Sequence, residues 1–126
     1  MNKLLTILFS LLFVSCAVTE TYTDIVITSQ GNSLENTKLM KEVCKQFKLS
    51  EDQVLSYFQE ATRTDESTIH NQHDILPCSS RGEIKISGIE YSWIIRAGGV
   101  GEYFNDTKKV LLVCEDKCCK ITKGIC

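Results

Sequence analysis

The chain has 126 residues, of which 24% are charged, and its 14 basic and 16 acidic side chains give a formal net charge of −2 at pH 7. This slightly acidic balance argues against a general nucleic-acid binder. A chain of this length can bury a core of its own, and no internal repeat or linker divides it, so we expect one domain over residues 18–126.

The first 17 residues have the pattern of a secretory signal peptide. Lys3 lies in a short charged start, residues 4–14 are almost entirely apolar, and small residues follow. The apolar run is too short to be a permanent membrane anchor. Cleavage after Ala17 releases a soluble protein, whereas cleavage before Cys16 makes that cysteine a lipidated N-terminus, and both remain open. We expect an exported protein of the periplasm or outer envelope, which contacts the membrane only if Cys16 carries a lipid.

The cysteine count agrees with export. Six cysteines follow residue 17, and an even count in a short exported chain predicts three disulfides: Cys44, Cys78, Cys114, Cys118, Cys119 and Cys126. Cys78 precedes the first strand of the predicted sheet and Cys114 ends the last, so we expect Cys78 to bond to Cys114, Cys118 or Cys119. Cys44 would then join a remaining tail cysteine. A thioredoxin-type redox site is not predicted, because no Cys-x-x-Cys opens a helix.

The first half of the chain predicts a strand and two helices. Residues 24–28 have the composition of a short strand. Residues 33–47 carry apolar side chains at helical spacing after Asn32, the expected N-cap. The second helix starts at Ser50, which forms a capping box with Gln53. Its apolar stripe consists of Val54, Leu55, Tyr57, Phe58 and Ala61. Only two residues separate the helices, so we expect a tight pair.

The second half predicts a sheet. Residues 63–74 are polar and aperiodic, and we expect a crossing loop there. From residue 81 to residue 114, apolar and polar side chains alternate and β-branched and aromatic types dominate, which predicts four antiparallel strands. The expected turns are Ser87-Gly88, Gly98-Gly99 and Asn105-Asp106.

The resulting fold class is α+β: an N-terminal strand and an antiparallel helix pair packed on a four-stranded antiparallel meander, braced by disulfides. One face of the second meander strand is assigned to the core: Ile89, Tyr91, Trp93 and Ile95. The opposite face carries Glu90, Ser92, Ile94 and Arg96. The last strand is apolar on both faces, which predicts a cover on each side, and the cysteine-rich tail is the expected second cover.

Several short motifs resemble a set of small uncharacterised bacterial exported proteins. They are Val-Leu-Ser-Tyr-Phe in the second helix, Leu-Pro-Cys before the sheet, and Arg-Gly-Glu-Ile and Trp-Ile-Ile-Arg-Ala-Gly-Gly within it. The resemblance covers residues 50–118 and implies no activity. In layout alone, a helix pair followed by a meander is similar to BamE-type envelope lipoproteins and to secreted β-lactamase inhibitor proteins, and layout does not carry function.

No catalytic constellation or cofactor site is recognisable, so a binding role is favoured. On the sheet face away from the helices, we expect Ile94 to be exposed beside Arg96, a composition typical of interface centres. These two residues are the candidate partner-binding residues. We therefore expect a non-enzymatic exported protein that binds another protein as an inhibitor, an immunity factor or an assembly accessory.

Two alternatives stay open. His70, His73 and Asp74 are metal-ligand types, and together with Ser79 or Ser80 they supply the residue types of a hydrolase triad. A small hydrolase or metal-binding enzyme is therefore the first alternative, although the spacing matches no helical zinc motif and no Gly-x-Ser-x-Gly turn is present. A purely structural lipoprotein is the second.

Overall fold

The computed structural model describes residues 14–126, so most of the predicted signal peptide lies outside the described residues. Cys16, the candidate lipidation site, is exposed and forms no disulfide. The elements in chain order are β1 (Tyr22–Ser33), α1 (Lys38–Cys44), α2 (Glu51–Glu60), β2 (Thr62–Thr64), α3 (Glu66–Gln72), β3 (Cys78–Ile86), β4 (Ile89–Arg96), β5 (Val100–Phe104), β6 (Lys109–Val113) and α4 (Asp116–Ile121).

The strands form one antiparallel sheet in the order β1-β3-β4-β5-β6-β2. The α+β class and the meander of β3 to β6 are therefore confirmed. The expectation of only four strands in the sheet is wrong, because β1 and β2 extend it to six. β1 continues to Ser33 through three register shifts, where the sequence Gln30-Gly31-Asn32 had predicted an end. β2 has three residues, too few for an alternation to be recognised.

Capping residues set where the helices begin. The Thr37 hydroxyl accepts a hydrogen bond from the Met40 amide, so α1 starts at residue 38 and not after Asn32 as expected. The predicted capping box of Ser50 and Gln53 is confirmed at α2. Asp65 caps α3, inside the stretch expected to be a loop. Its bond from the Thr68 amide lowers the pKa of the Asp65 carboxyl below its ordinary value.

The inner face of the sheet, defined as the face against α2, carries the core. The Phe58 ring forms T-shaped pairs with Trp93 and Tyr103, with centroid separations of 6.3 and 6.2 Å. The backbones of α2 and α1 both lie close to β1, and that of α2 also lies close to α4, so the expected antiparallel helix pair is not the main helix contact. Tyr91, Trp93 and Ile95 are buried as predicted. Ile89 is 53% exposed, because it follows the β3–β4 turn at the end of the sheet.

The three expected hairpin turns are confirmed, and a glycine inside β3 is required by its surroundings. Ser87 and Gly88 both have positive φ, as do Gly98 and Gly99. Gly82 pairs with Trp93 across β3 and β4. A Cβ at Gly82 would lie 2.5 Å from Trp93 Cζ2 and would overlap the Val26 carbonyl oxygen. Only glycine therefore fits at this position.

Three disulfides are present, as predicted, but the predicted connectivity is wrong. Cys44 bonds to Cys78, and the tail contains Cys114–Cys118 and Cys119–Cys126. The reason is topological. β1 pairs along β3 up to Ser33 opposite Cys78, and α1 follows β1 directly, so Cys44 comes beside Cys78. The tail cysteines are left to pair with one another.

An ion pair links the two edge strands, although four strands lie between them. Glu20, which precedes β1, lies 2.8 Å from the Arg63 guanidinium on β2. The Tyr22 hydroxyl donates to the same carboxylate at 2.8 Å, and burial, followed by this contact, raises the pKa of Tyr22 above its ordinary value. The sheet therefore curls around α2. The pair is partly exposed and contributes at most about 1 kcal/mol.

Replacement of Trp93 tests the assignment of the inner face. Trp93 is 1% exposed and donates from Nε1 to the Glu83 carbonyl at 3.0 Å. Trp93→Ala should lower the free energy of unfolding by about 3–5 kcal/mol, because it removes a large side chain from the centre of the core. Ile89→Ala is the control on the same strand and should cost less than about 1 kcal/mol. Urea unfolding followed by circular dichroism measures both, and equal losses would contradict the assignment.

Candidate functional site

The outer face of the sheet, opposite α2, contains the candidate site. One row of residues crosses it from strand to strand, because Arg81 pairs with Ile94, Ile94 with Glu102, and Glu102 with Leu111. α3 lies over the β5–β6 end of this face, where Ile69 is 5% exposed. The outer cover of β6 is thus α3. The expectation that the tail provides it is wrong, since Cys118 and Ile125 of the tail pack into the inner core.

A cleft of about 190 Å³ lies between α3 and the outer face, and we call it the α3 cleft. Its apolar wall consists of Ile69, Ile75, Val100 and Leu111. Its polar wall carries Glu66, His70, Arg96, Glu102 and Lys109. The two acidic groups, Glu66 and Glu102, are balanced by Arg96 and Lys109, so the cleft has no strong net charge.

A carboxylate between two cations dominates the polar wall. Glu102 lies 3.5 Å from Nη1 of Arg96 and 3.2 Å from Nζ of Lys109. The Glu102 and Arg96 side chains are only 11% and 17% exposed, whereas Lys109 is 55% exposed. Arg96 Nε is buried and has no hydrogen-bond partner among residues 14–126. Because the Glu102 and Arg96 side chains are both largely desolvated, each is stabilised by the charge of the other.

The expectation that Ile94 is an exposed residue beside Arg96 is wrong. Ile94 is 9% exposed, between Arg81 and Glu102 in the cross-strand row. Arg96 turns to Glu102. Both residues lie on the predicted face, but their own exposed area is small. Their role in partner binding stays a prediction. The more exposed part of this face lies on the neighbouring strands.

The rest of the outer face, formed by β1, β3 and β4, has no helix over it among the described residues. We call it the open face and define it by Val26, Arg81, Glu83, Lys85 and Ser92, all of which are exposed or partly exposed. Val26 is 51% exposed. Ser92 donates to Glu83 at 3.0 Å, and Lys85 lies 3.3 Å from Asp24. The result is an aliphatic side chain surrounded by fixed polar groups.

Two shallow depressions flank the open face and share Glu83 and Glu90. One has a volume of about 270 Å³ and continues to Phe104 and the β5–β6 turn. The other has a volume of about 310 Å³ and continues to Asp24 and Val26. Both depressions are open to solvent and are lined mainly by charged and polar side chains.

The predicted His cluster is divided between two places. His70 lines the α3 cleft, whereas His73 lines a separate groove of about 700 Å³ beside the tail. Within residues 14–126, the only group of three or more potential metal-ligating residues that lie close together is Cys114, Cys119 and Cys126. His70, His73 and Asp74 therefore do not form the grouping that the metal alternative requires.

The two candidate serine nucleophiles are buried. Ser79 and Ser80 are 1% and 0% exposed and, as neighbours on a strand, point to opposite faces. The Ser80 hydroxyl donates to the side-chain oxygen of Gln30, which also accepts from the Leu49 amide. Ser80 thus helps to link the loop between α1 and α2 to the sheet through Gln30. Because both serines are buried, a substrate has no access to either hydroxyl.

The tail cysteines form a cluster that sequence reasoning missed. The Sγ atoms of Cys114, Cys119 and Cys126 lie within 4.8 Å of one another, although they belong to two disulfides. The only available signal was the short spacing of the four tail cysteines. Their convergence depends on α4, which turns the chain back over Cys114.

No family model, curated protein or solved structure matches the chain. The resemblance to exported bacterial proteins therefore stays a prediction. In the described part of the chain, every helix is too short or too polar to cross a membrane.

Neutralising Glu102 tests the buried ion pair. Glu102→Gln keeps the side-chain shape but leaves Arg96 largely desolvated without its counter-charge. The loss of this partner should cost about 1–3 kcal/mol of unfolding free energy. Glu90→Gln, an exposed change of the same kind, is the control and should cost less than about 0.5 kcal/mol. Chemical unfolding of the two variants makes the comparison. If Glu102→Gln is as stable as wild type, the ion pair contributes no net stability.

Proposed function

We propose that the protein is a small exported protein-binding module, of the inhibitor, immunity or assembly-accessory type, whose partner docks on the open face. The observation that carries this proposal is the uneven cover of the outer sheet face. α3 shields the β5–β6 end, whereas β1, β3 and β4 present Val26, Arg81 and Glu83. Val26 pairs with Glu83, and Arg81 lies two positions before Glu83 on the same face of β3. An aliphatic residue and an arginine on one polar surface are a composition found at many interface centres.

The structural frame favours binding with little rearrangement. β3 pairs with β1 on one side and with β4 on the other, so Arg81 and Glu83 are on an interior strand. The Cys44–Cys78 bond ties the start of that strand to α1. A backbone held by such a frame loses less conformational entropy on association than the backbone of a mobile loop.

Ile94 and Arg96 enter this proposal in a different role from the one expected. Ile94 is buried and pairs with Arg81 across β3 and β4, and Arg96 forms an ion pair with Glu102. They would shape and support the contact surface, while Arg81, Val26 and Glu83 would make most of the contact. A change at Arg96 would therefore reduce stability as well as affinity.

Export is supported by the three disulfides, since such bonds persist in oxidising compartments. The hydrolase alternative has less support, because Ser79 and Ser80 are buried and the two histidines line different clefts. The structural-lipoprotein alternative depends on Cys16, whose lipidation is open.

Site-specific photo-crosslinking in the producing cells tests the proposal. Benzoylphenylalanine replaces Arg81 in one variant and Glu51, an exposed residue at the start of α2, in another. The Arg81 position should give one adduct of defined mass, and the Glu51 position should not. Absence of an adduct at Arg81, or the same adduct at Glu51, would contradict the proposal.

A competition experiment tests whether the adduct depends on the open face. An excess of unlabelled wild-type protein should remove the adduct. An excess of the Arg81→Glu variant should fail to remove it, whereas Lys41→Glu, a charge reversal on exposed α1 surface, should compete like wild type. Equal competition by both variants would move the contact away from the open face.

A further inference from the structure

The two tail disulfides lie against each other. The Sγ atom of Cys114, which is bonded to Cys118, is within 4.8 Å of the Sγ atoms of Cys119 and Cys126. Cys114 and Cys126 pack beside Gly99, where a Cβ would be 3.0 Å from Cys114 Cβ and 3.3 Å from Cys126 Sγ. Cys119 Sγ is also 3.3 Å from the Cys114 carbonyl oxygen. One bond is therefore within reach of a sulfur released from the other after a small movement.

The two bonds differ in access. Cys126 is exposed and Cys119 is partly exposed. Cys114 and Cys118 are 4% and 2% exposed. Because thiol–disulfide exchange requires access to a sulfur, the Cys119–Cys126 bond, whose residues are the more exposed, is the one that an external thiolate attacks first.

We propose that the tail is a thiol–disulfide exchange site whose substrate is a dithiol, and that the exposed disulfide passes the exchange to the buried one. This goes beyond the proposed binding function and is independent of it. The thiolate of the dithiol attacks Cys126 Sγ, forming a mixed disulfide and releasing the Cys119 thiolate. The Cys119 thiolate then attacks Cys114 Sγ, which breaks the Cys114–Cys118 bond, forms Cys114–Cys119 and releases the Cys118 thiolate.

The reaction balances with the dithiol as reductant. Its second thiolate attacks the mixed disulfide and leaves as the oxidised cyclic disulfide, while Cys126 is released as a thiolate that takes up a proton. Two electrons pass from the dithiol to the protein. The protein then holds one tail disulfide, Cys114–Cys119, and two thiols, Cys118 and Cys126.

The local structure accommodates this product. Cys118 and Cys119 are consecutive residues of α4, so the bond to Cys114 moves by one position along the helix. Of the two thiols that remain, Cys118 is buried, and a free cysteine is readily buried as a small apolar residue. The C-terminal residues after α4 lose their covalent tie to it.

Partial reduction tests the proposal. The whole protein is treated with one equivalent of dithiothreitol, quenched with N-ethylmaleimide at increasing times, and digested with trypsin. Cleavage after Lys117 and Lys120 puts Cys118 and Cys119 in one peptide, residues 118–120. Fragmentation between these two cysteines shows which of them carries the maleimide.

We expect the C-terminal peptide with Cys126 to be released and labelled. In the peptide still linked to Cys114, label on Cys118 should rise with time while label on Cys119 falls. Label confined to Cys119 would overturn the proposal, because the exposed bond would then have opened without exchange. Retention of Cys119–Cys126 with label on Cys114 would also overturn it.

A variant gives a second test without reductant. In Cys126→Ser, Cys119 starts as a free thiol, so exchange should distribute label between Cys118 and Cys119. Label on Cys119 alone in the folded variant would contradict the proposal. The Cys44–Cys78 disulfide is outside the cluster and should remain intact in both experiments.

Discussion

The indole of Trp93 occupies the space that a side chain at position 82 would need, and the rest of the fold depends on this contact. Gly82 leaves room on the inner face for the ring and for the Val26 carbonyl of β1. The indole also donates to the Glu83 carbonyl next to Gly82. Three strands are thereby fixed at one point, since Gly82 pairs with Trp93 of β4 and with Ile27 of β1. Phe58 of α2 closes the contact from the other side.

The same point positions the proposed binding surface. Arg81 and Glu83 flank Gly82 and therefore project to the outer face, opposite the indole. The irregular path of β1 brings Val26 beside Glu83 on that face. α1 follows β1 and is bonded to the start of β3 through Cys44–Cys78. The packing around Gly82 on the inner face therefore also fixes the positions of Arg81 and Glu83 on the outer face. A change that disturbs this packing should also disturb binding.

Parts of this structure follow from local sequence. Alternation over β3 to β6 and glycines at the turns predict the meander, and Ser50 with Gln53 predicts α2. α3 could not be predicted in this way, because it has seven residues and a single buried apolar side chain, Ile69. The burial of Ile94 likewise depends on residues remote in the chain. Disulfide connectivity depends on β1 pairing along β3, which no local pattern indicates, and the cysteine cluster depends on the path of α4.

Substitution of Gly82 by alanine tests the central contact most directly. Urea unfolding can be followed by the fluorescence of Trp93, which is the only tryptophan of the chain. Gly88→Ala is the matched control, because Gly88 has open space around it and only its positive φ opposes a side chain. Gly88→Ala should cost about 1 kcal/mol. Gly82→Ala should cost about 2–4 kcal/mol and shift the emission of the folded state, because the methyl group displaces the indole or β1. A Gly82→Ala protein as stable as Gly88→Ala, with unchanged emission, would contradict the account.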